Sequence, residues 1–140
     1  MMQVPDTNAF TMPVEAFRDE LDRRGALHES VSRSREAFLS LLMQSTACMA
    51  LHHVQERCCR WLLMSHDRVA RDQFELSHEF LEMMLGATRP TVSVIAGALQ
   101  NAGLLRHVHG RMTILNRAGL EAAACECYAI VKANFDRLGL

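Results

Sequence analysis

Apolar residues follow helical spacing along most of this chain, and short polar or glycine-marked breaks separate the periods. Residues 1–13 hold two of the three prolines and read as irregular or extended. Pro13 opens a short helix at Val14-Glu15-Ala16-Phe17, which Gly25 is expected to end. From about Glu29 a long helical pattern runs toward Met64. In it Val31, Phe38, Leu41, Leu42, Cys48 and Met49 fall near a seven-residue repeat, with Ser45 as a small polar centre. A narrow apolar seam of this kind needs a partner to cover it, and a second copy of the chain is the favoured cover over the chain's own domain. His52-His53 interrupts the seam. A second amphipathic helix follows with Val54, Cys58, Trp61 and Leu62 apolar, expected to stop before Ser65-His66-Asp67-Arg68.

The next stretch changes period quickly. Phe74-Glu75-Leu76 is a short strand candidate. Ser77 reads as an N-cap, with Phe80, Leu81, Met84 and Leu85 on one helical face and Gly86 as the stop. Thr88 reads as the next N-cap, with Pro90 in the first turn and Val92, Ile95, Ala96 and Leu99 as the buried stripe of a helix reaching about Ala102. A break this short forces two helices to cross steeply, which is the helix-turn-helix pattern. Leu104–Val108 and Met112–Leu115 flank a His109-Gly110 turn and read as a hairpin. The Ala-rich remainder, Arg117 to Leu138, reads as one helix with Leu120, Ala124, Cys127, Tyr128 and Val131 inward. The expected fold is mainly α: a winged helix-turn-helix domain preceded by a long dimerisation helix.

Charge sharpens this picture. The 140 residues carry a net charge of −1, but unevenly: residues 1–87 sum to −4, while residues 88–117 hold Arg89, Arg106, Arg111 and Arg117 and no acid. An acid-free basic window is what a phosphate-binding surface requires. The hydrophobic share of 49% excludes wholesale disorder. No apolar run approaches a membrane span, and Met1 to Phe10 lacks the pattern of an export signal. A cytoplasmic protein without membrane contact is expected.

Five cysteines without an export signal read as reduced thiols. Cys48, Cys58, Cys59, Cys125 and Cys127 include no C-x-x-C pair, and Cys125 and Cys127 would point to different faces of a continuous helix. No metal site is therefore expected. No nucleophile elbow, zinc-protease motif, P-loop or dinucleotide fingerprint is present, so no enzyme is expected.

Physical chemistry then assigns roles. The amino end of the helix at Thr88 offers backbone N–H groups and a partial positive charge to a phosphate. Arg89 in its first turn can fork onto a guanine edge, an interaction of about 1–3 kcal/mol in base discrimination. Thr91 and Ser93 can meet bases or backbone. Arg106, His109 and Arg111 on the wing can meet flanking phosphates, which position without specifying.

The stretch LSHEFLEMMLGATRPTVSVIAGALQNAGLLRHVHGRMTILNRAGLEAAACECY resembles the DNA-binding domain of the Crp/Fnr family of bacterial transcription regulators, and QSTACMALHHVQERCCRWLLMSHDRV resembles the helix before it. The likeness covers roughly residues 28–130. It implies a homodimer that puts its second motif helix, about residues 88–102, in the major groove of double-stranded DNA. RNA polymerase is a further candidate partner. Arg89 matches the family's base-reading arginine. Pro90 and Val94 stand where many members carry glutamate and arginine, so the best-known operator sequence does not carry over. Ser77 and His78, at the head of the preceding helix, complete the expected DNA-facing set. The organisation implied is an exit segment of the sensory domain over residues 1–27, a dimerisation helix over 28–52 and the winged helix over 53–140. MQVPDTNAFTMPVEAF is similar to the last strand and exit of the family's sensory β-roll, so almost all of that roll is expected to be missing, by natural truncation, a misplaced start or fragmentation. One strand cannot enclose a ligand, and no cyclic-nucleotide pocket or other cofactor site is expected within the chain. The five cysteines do not match the family's iron–sulfur ligands. The competing readings are a winged-helix metal or thiol sensor and a truncated dimerisation partner that does not bind DNA.

Overall fold

The computed structural model describes residues 11–69, 71–108 and 110–139. Among the described residues, seven helices and three strands follow one another as α1 (Val14–Asp22), α2 (Ala26–Leu51), α3 (Val54–Val69), β1 (Gln73–Glu75), α4 (His78–Leu85), α5 (Arg89–Asn101), β2 (Leu105–Val108), β3 (Arg111–Ile114), α6 (Arg117–Ala123) and α7 (Cys127–Leu138). None of these helices is long and apolar enough to cross a membrane. The fold is mainly α, as the hydrophobic periods predict. Its small antiparallel sheet has the order β1-β3-β2, so the strand before the motif completes the wing.

One core joins α3 to the winged helix. Leu62 and Leu63 of α3, Leu81 and Leu85 of α4, Val92 and Leu99 of α5, Leu105 and Met112 of the wing and Leu120 of α6 are all nearly fully buried. Burying a side chain of this size contributes about 1.5–3 kcal/mol. Leu81 and Leu85, and Val92 and Leu99, lie at helical spacing on their helices, and the buried Met112 and Ile114 alternate on β3.

Four boundaries differ from the sequence expectations. The first helix ends at Asp22, and Arg24, not Gly25, takes the left-handed backbone (φ 52°). Gly25 instead precedes α2, which starts at Ala26. His52 and His53 do break the long pattern. The helix after them, α3, continues through the polar stretch meant to end it because a bond along the helix and tertiary partners of Asp67 hold that stretch in place. Ser65 Oγ donates to the Trp61 carbonyl at 2.9 Å, and Asp67 accepts from Arg117 at 2.7 Å and from Tyr128 at 2.9 Å. Lastly, the Ala-rich tail is two helices, with Ala124 extended between them (φ −85°, ψ 153°). The break turns α6 onto α3 and lets α7 lie along α2. There Asn134 donates to Ser40 Oγ at 2.8 Å and Arg137 to Glu36 at 2.9 Å.

That last contact sorts the predicted seam. Ala37 and Cys48 are buried in the protomer, and Leu41 packs on the core. Leu41 and Cys48 therefore belong to the inner stripe of α2 and are not open to a partner. Phe38, Leu42 and Met49 remain exposed, by 55%, 47% and 53%. Val31 is half-buried, and Ser45 accepts from the buried Arg60 at 3.3 Å. The three open residues of the expected seam share one side of α2, and Leu39 and Met43 widen the exposed apolar face.

Candidate nucleic-acid interface

The turn between α4 and α5 is Gly86-Ala87-Thr88. Gly86 closes α4 in the left-handed conformation (φ 59°, ψ 37°), a backbone that disfavours any side chain. Its amide bonds the Glu82 carbonyl. A Cβ at this position would also lie 3.3 Å from the Met49 methyl of α2.

The helix starts differ in how they are capped. Ser77 Oγ accepts from the Phe80 N–H at 3.2 Å, and Asn116 Oδ1 from the Gly119 N–H at 2.8 Å. Glu56 reaches back to the His53 N–H at 3.0 Å. At α5 the Thr88 hydroxyl instead lies 3.0 Å from the Thr91 hydroxyl and caps nothing. The first α5 backbone bond runs from Val92 N–H to the Thr88 carbonyl at 3.0 Å. The N–H groups of Arg89 and Thr91 lie ahead of it, with no side-chain cap, at the positive end of the helix dipole.

Arg89, Pro90, Ser93 and Val94 are all exposed on the outer side of α5, opposite the buried Val92, Ile95, Ala96 and Leu99. Thr88 is exposed and Thr91 half-buried. Val94 is 72% exposed, so an apolar side chain stands on a face open to solvent. Among the described residues Arg89 makes no ion pair. The wing register places Arg106 opposite Thr113 and Arg111 between Val108 and Glu75. Alternation along the strands puts both arginines on the outer face, while Leu105, Met112 and Ile114 are buried. His109 lies outside the described residues.

Three of the expected contributors have partners within the chain. Arg117 completes the basic window in sequence but is engaged within the chain. It donates to Asp67 at 2.7 Å, Tyr128 at 2.6 Å and Glu121 at 2.9 Å. Burial, then the hydrogen bond and charge of Asp67, push the Tyr128 hydroxyl up to about 12. The open charge is thus Arg89, Arg106 and Arg111. Ser77 is a helix cap: Ser77→Ala is expected to cost about 1 kcal/mol of stability in denaturant unfolding while leaving DNA affinity per folded molecule unchanged. A larger loss of affinity than of stability would show that the Ser77 hydroxyl also meets DNA. His78 is turned inward and half-buried, its ring stacked on His107 at 4.5 Å, and its Nε2 is buried without a partner.

His107 sets a pH dependence. Burial, and next the neighbouring His78, lower its pKa from the ordinary 6.5, against a bond to the Leu76 carbonyl at 3.3 Å. The unfolded chain therefore takes up this proton before the folded one. Stability is expected to fall as pH drops below about 6.5 and to be unaffected by this group above it. In His107→Gln the decline below about pH 6.5 should shrink; parallel profiles would show that His107 does not titrate as described.

Comparison with known proteins agrees with this geometry. Residues 56–123 match the Crp-like helix-turn-helix domain family. Among solved structures, a CRP family transcriptional regulator from Thermus thermophilus superposes with a TM-score of 0.60 at 26% identity, over 67% of this chain and 51% of its own. A CooA variant from Carboxydothermus hydrogenoformans gives 0.68 at 20% identity over 79% and 55%, a likeness of fold. The chain spans about half the length of these relatives. No curated protein matches it. Residues 56–123 of this chain are thus a domain of the Crp-like helix-turn-helix family.

Proposed function

We propose that this chain is the DNA-binding and dimer-forming part of a transcription regulator, and that it carries out no catalysis. The observation that carries the reading is the first turn of α5. It is uncapped by side chains and exposed, and it presents an Arg89 that no described residue engages in an ion pair. An anion fits that turn, and the guanidinium beside it fits a guanine edge in the major groove. Arg106 and Arg111 supply contacts to the flanking backbone.

The dimer is carried by α2. Its exposed Phe38, Leu39, Leu42, Met43 and Met49 leave five large apolar side chains open to solvent on one helix, the kind of surface a partner covers. A two-fold pairing there gives two α5 helices and a two-fold symmetric site, with half-sites about 34 Å apart as in dimeric helix-turn-helix proteins generally.

Selection of binding sites from a random duplex pool tests the reading. An inverted repeat with a guanine in each half, bound with a steep loss of affinity on raising salt, is expected. Recovery of no sequence preference would overturn it.

A further inference from the structure

We propose that Cys48, Cys125 and Cys127 form a closed all-sulfur site for one soft, thiophilic divalent ion of the cadmium or mercury class, bound in three-coordinate geometry. The three sulfurs lie within 4.8 Å of one another, and Cys48 and Cys125 Sγ are 3.5 Å apart. All three residues are buried, with 0%, 6% and 3% of their surface exposed. They arrive from distant parts of the chain. Cys48 comes from the inner stripe of α2, Cys125 from the link after α6, and Cys127 from the first position of α7. The break at Ala124 is what removes the divergence a continuous helix would impose.

Spacing selects a single ion. A soft divalent ion, larger than zinc with its bonds of about 2.3 Å, sits roughly 2.5 Å from each thiolate and holds its sulfurs roughly 4 Å apart, whether trigonal or tetrahedral, inside the 4.8 Å seen here. An iron–sulfur cluster holds its outer thiolates farther apart and takes four ligands. No imidazole or carboxylate joins the three sulfurs among the described residues, so the donor set is uniformly soft. Gln44 Nε2 donates to Cys127 Sγ at 3.0 Å, an outer contact that orients one ligand.

Charge selects the oxidation state. Three thiolates around a divalent ion carry a net −1. The guanidinium of Arg60 is 1% exposed, and its described partners are neutral: Ser45 Oγ, Met64 Sδ and the Trp61 ring. Its Nε is a buried donor without a partner, and its positive charge favours the Cys48 thiolate. The occupied site thus balances a buried cation that is otherwise uncompensated. Binding exchanges three S–H protons for three metal–sulfur bonds with no change of oxidation state.

The test is titration of the full reduced chain with cadmium in a phosphine reductant. One ion per chain, three protons released per ion and thiolate-to-metal charge-transfer absorption are expected. The Cys58→Ser, Cys59→Ser double variant should bind unchanged. Cys127→Ser, shown folded by circular dichroism, should lose at least about 100-fold in affinity. Cys125→Ser is the second variant if Cys127→Ser does not fold. Absence of stoichiometric binding, retention in Cys127→Ser, loss in the Cys58, Cys59 variant, or assembly of a cluster from iron and sulfide would each overturn the proposal.

Discussion

Arg89→Ala is expected to abolish preference for the selected DNA site while leaving weak, salt-sensitive binding. Arg89 sits in the first turn of α5, exposed and without an ion pair among the described residues, so its removal leaves the fold untouched. A bidentate contact to guanine contributes roughly 1–3 kcal/mol of discrimination in each half-site. The wing arginines and the helix amino end persist in the variant, so non-specific attraction to phosphate persists with its salt dependence. Competition between the selected duplex and a scrambled one measures the effect. An unchanged ranking of duplexes would show that another residue reads the base.

Phe38→Glu should give monomers. Phe38 is 55% exposed, so the protomer loses little: within about 0.5 kcal/mol in unfolding. Across a two-fold seam two glutamates would meet each other and the apolar Leu42 and Met49. Burying an unpaired carboxylate there costs more than the seam gains. With the dimer gone, the second half-site no longer binds as an intramolecular event, and affinity for the full site drops by about 10²–10⁴. Light scattering and DNA titration measure the two consequences separately. A dimer that survives would show that Phe38 lies outside the interface.

The two variants separate two kinds of information. Arg89 was legible in the sequence because its setting is local. An N-cap position, a proline in the first turn and a four-residue apolar stripe define a helix end without reference to anything distant. The wing was legible for the same reason, through glycine and alternation. The seam was legible only as a period. Residues Leu41 and Cys48 lie beside Phe38 and Leu42 on the heptad, yet the chain's own core covers the first two and leaves the others open. A repeat tells which residues share a face, not which neighbour that face meets.

Arg117, His78 and the cysteines show the same limit. Arg117 stands in an acid-free window, but its acids, Asp67 and Glu121, come from another helix and from its own next turn. His78 and His107 belong to different elements and meet only because the wing folds back on α4. Cys48 and Cys125 are 77 positions apart, and the Ala-rich run between Arg117 and Leu138 gives no local mark of the break that joins them.

What the sequence determined by itself is the helix-turn-helix, its outward arginine and the basic wing, since helix ends, turns and apolar stripes are set by residues within one or two turns of each other. What only the tertiary structure decided is which charges stay open, which side of α2 is left for a partner and that three thiols converge. Those depend on α7 folding back across α2, a packing choice made by contacts 83 to 101 residues apart that no local period encodes.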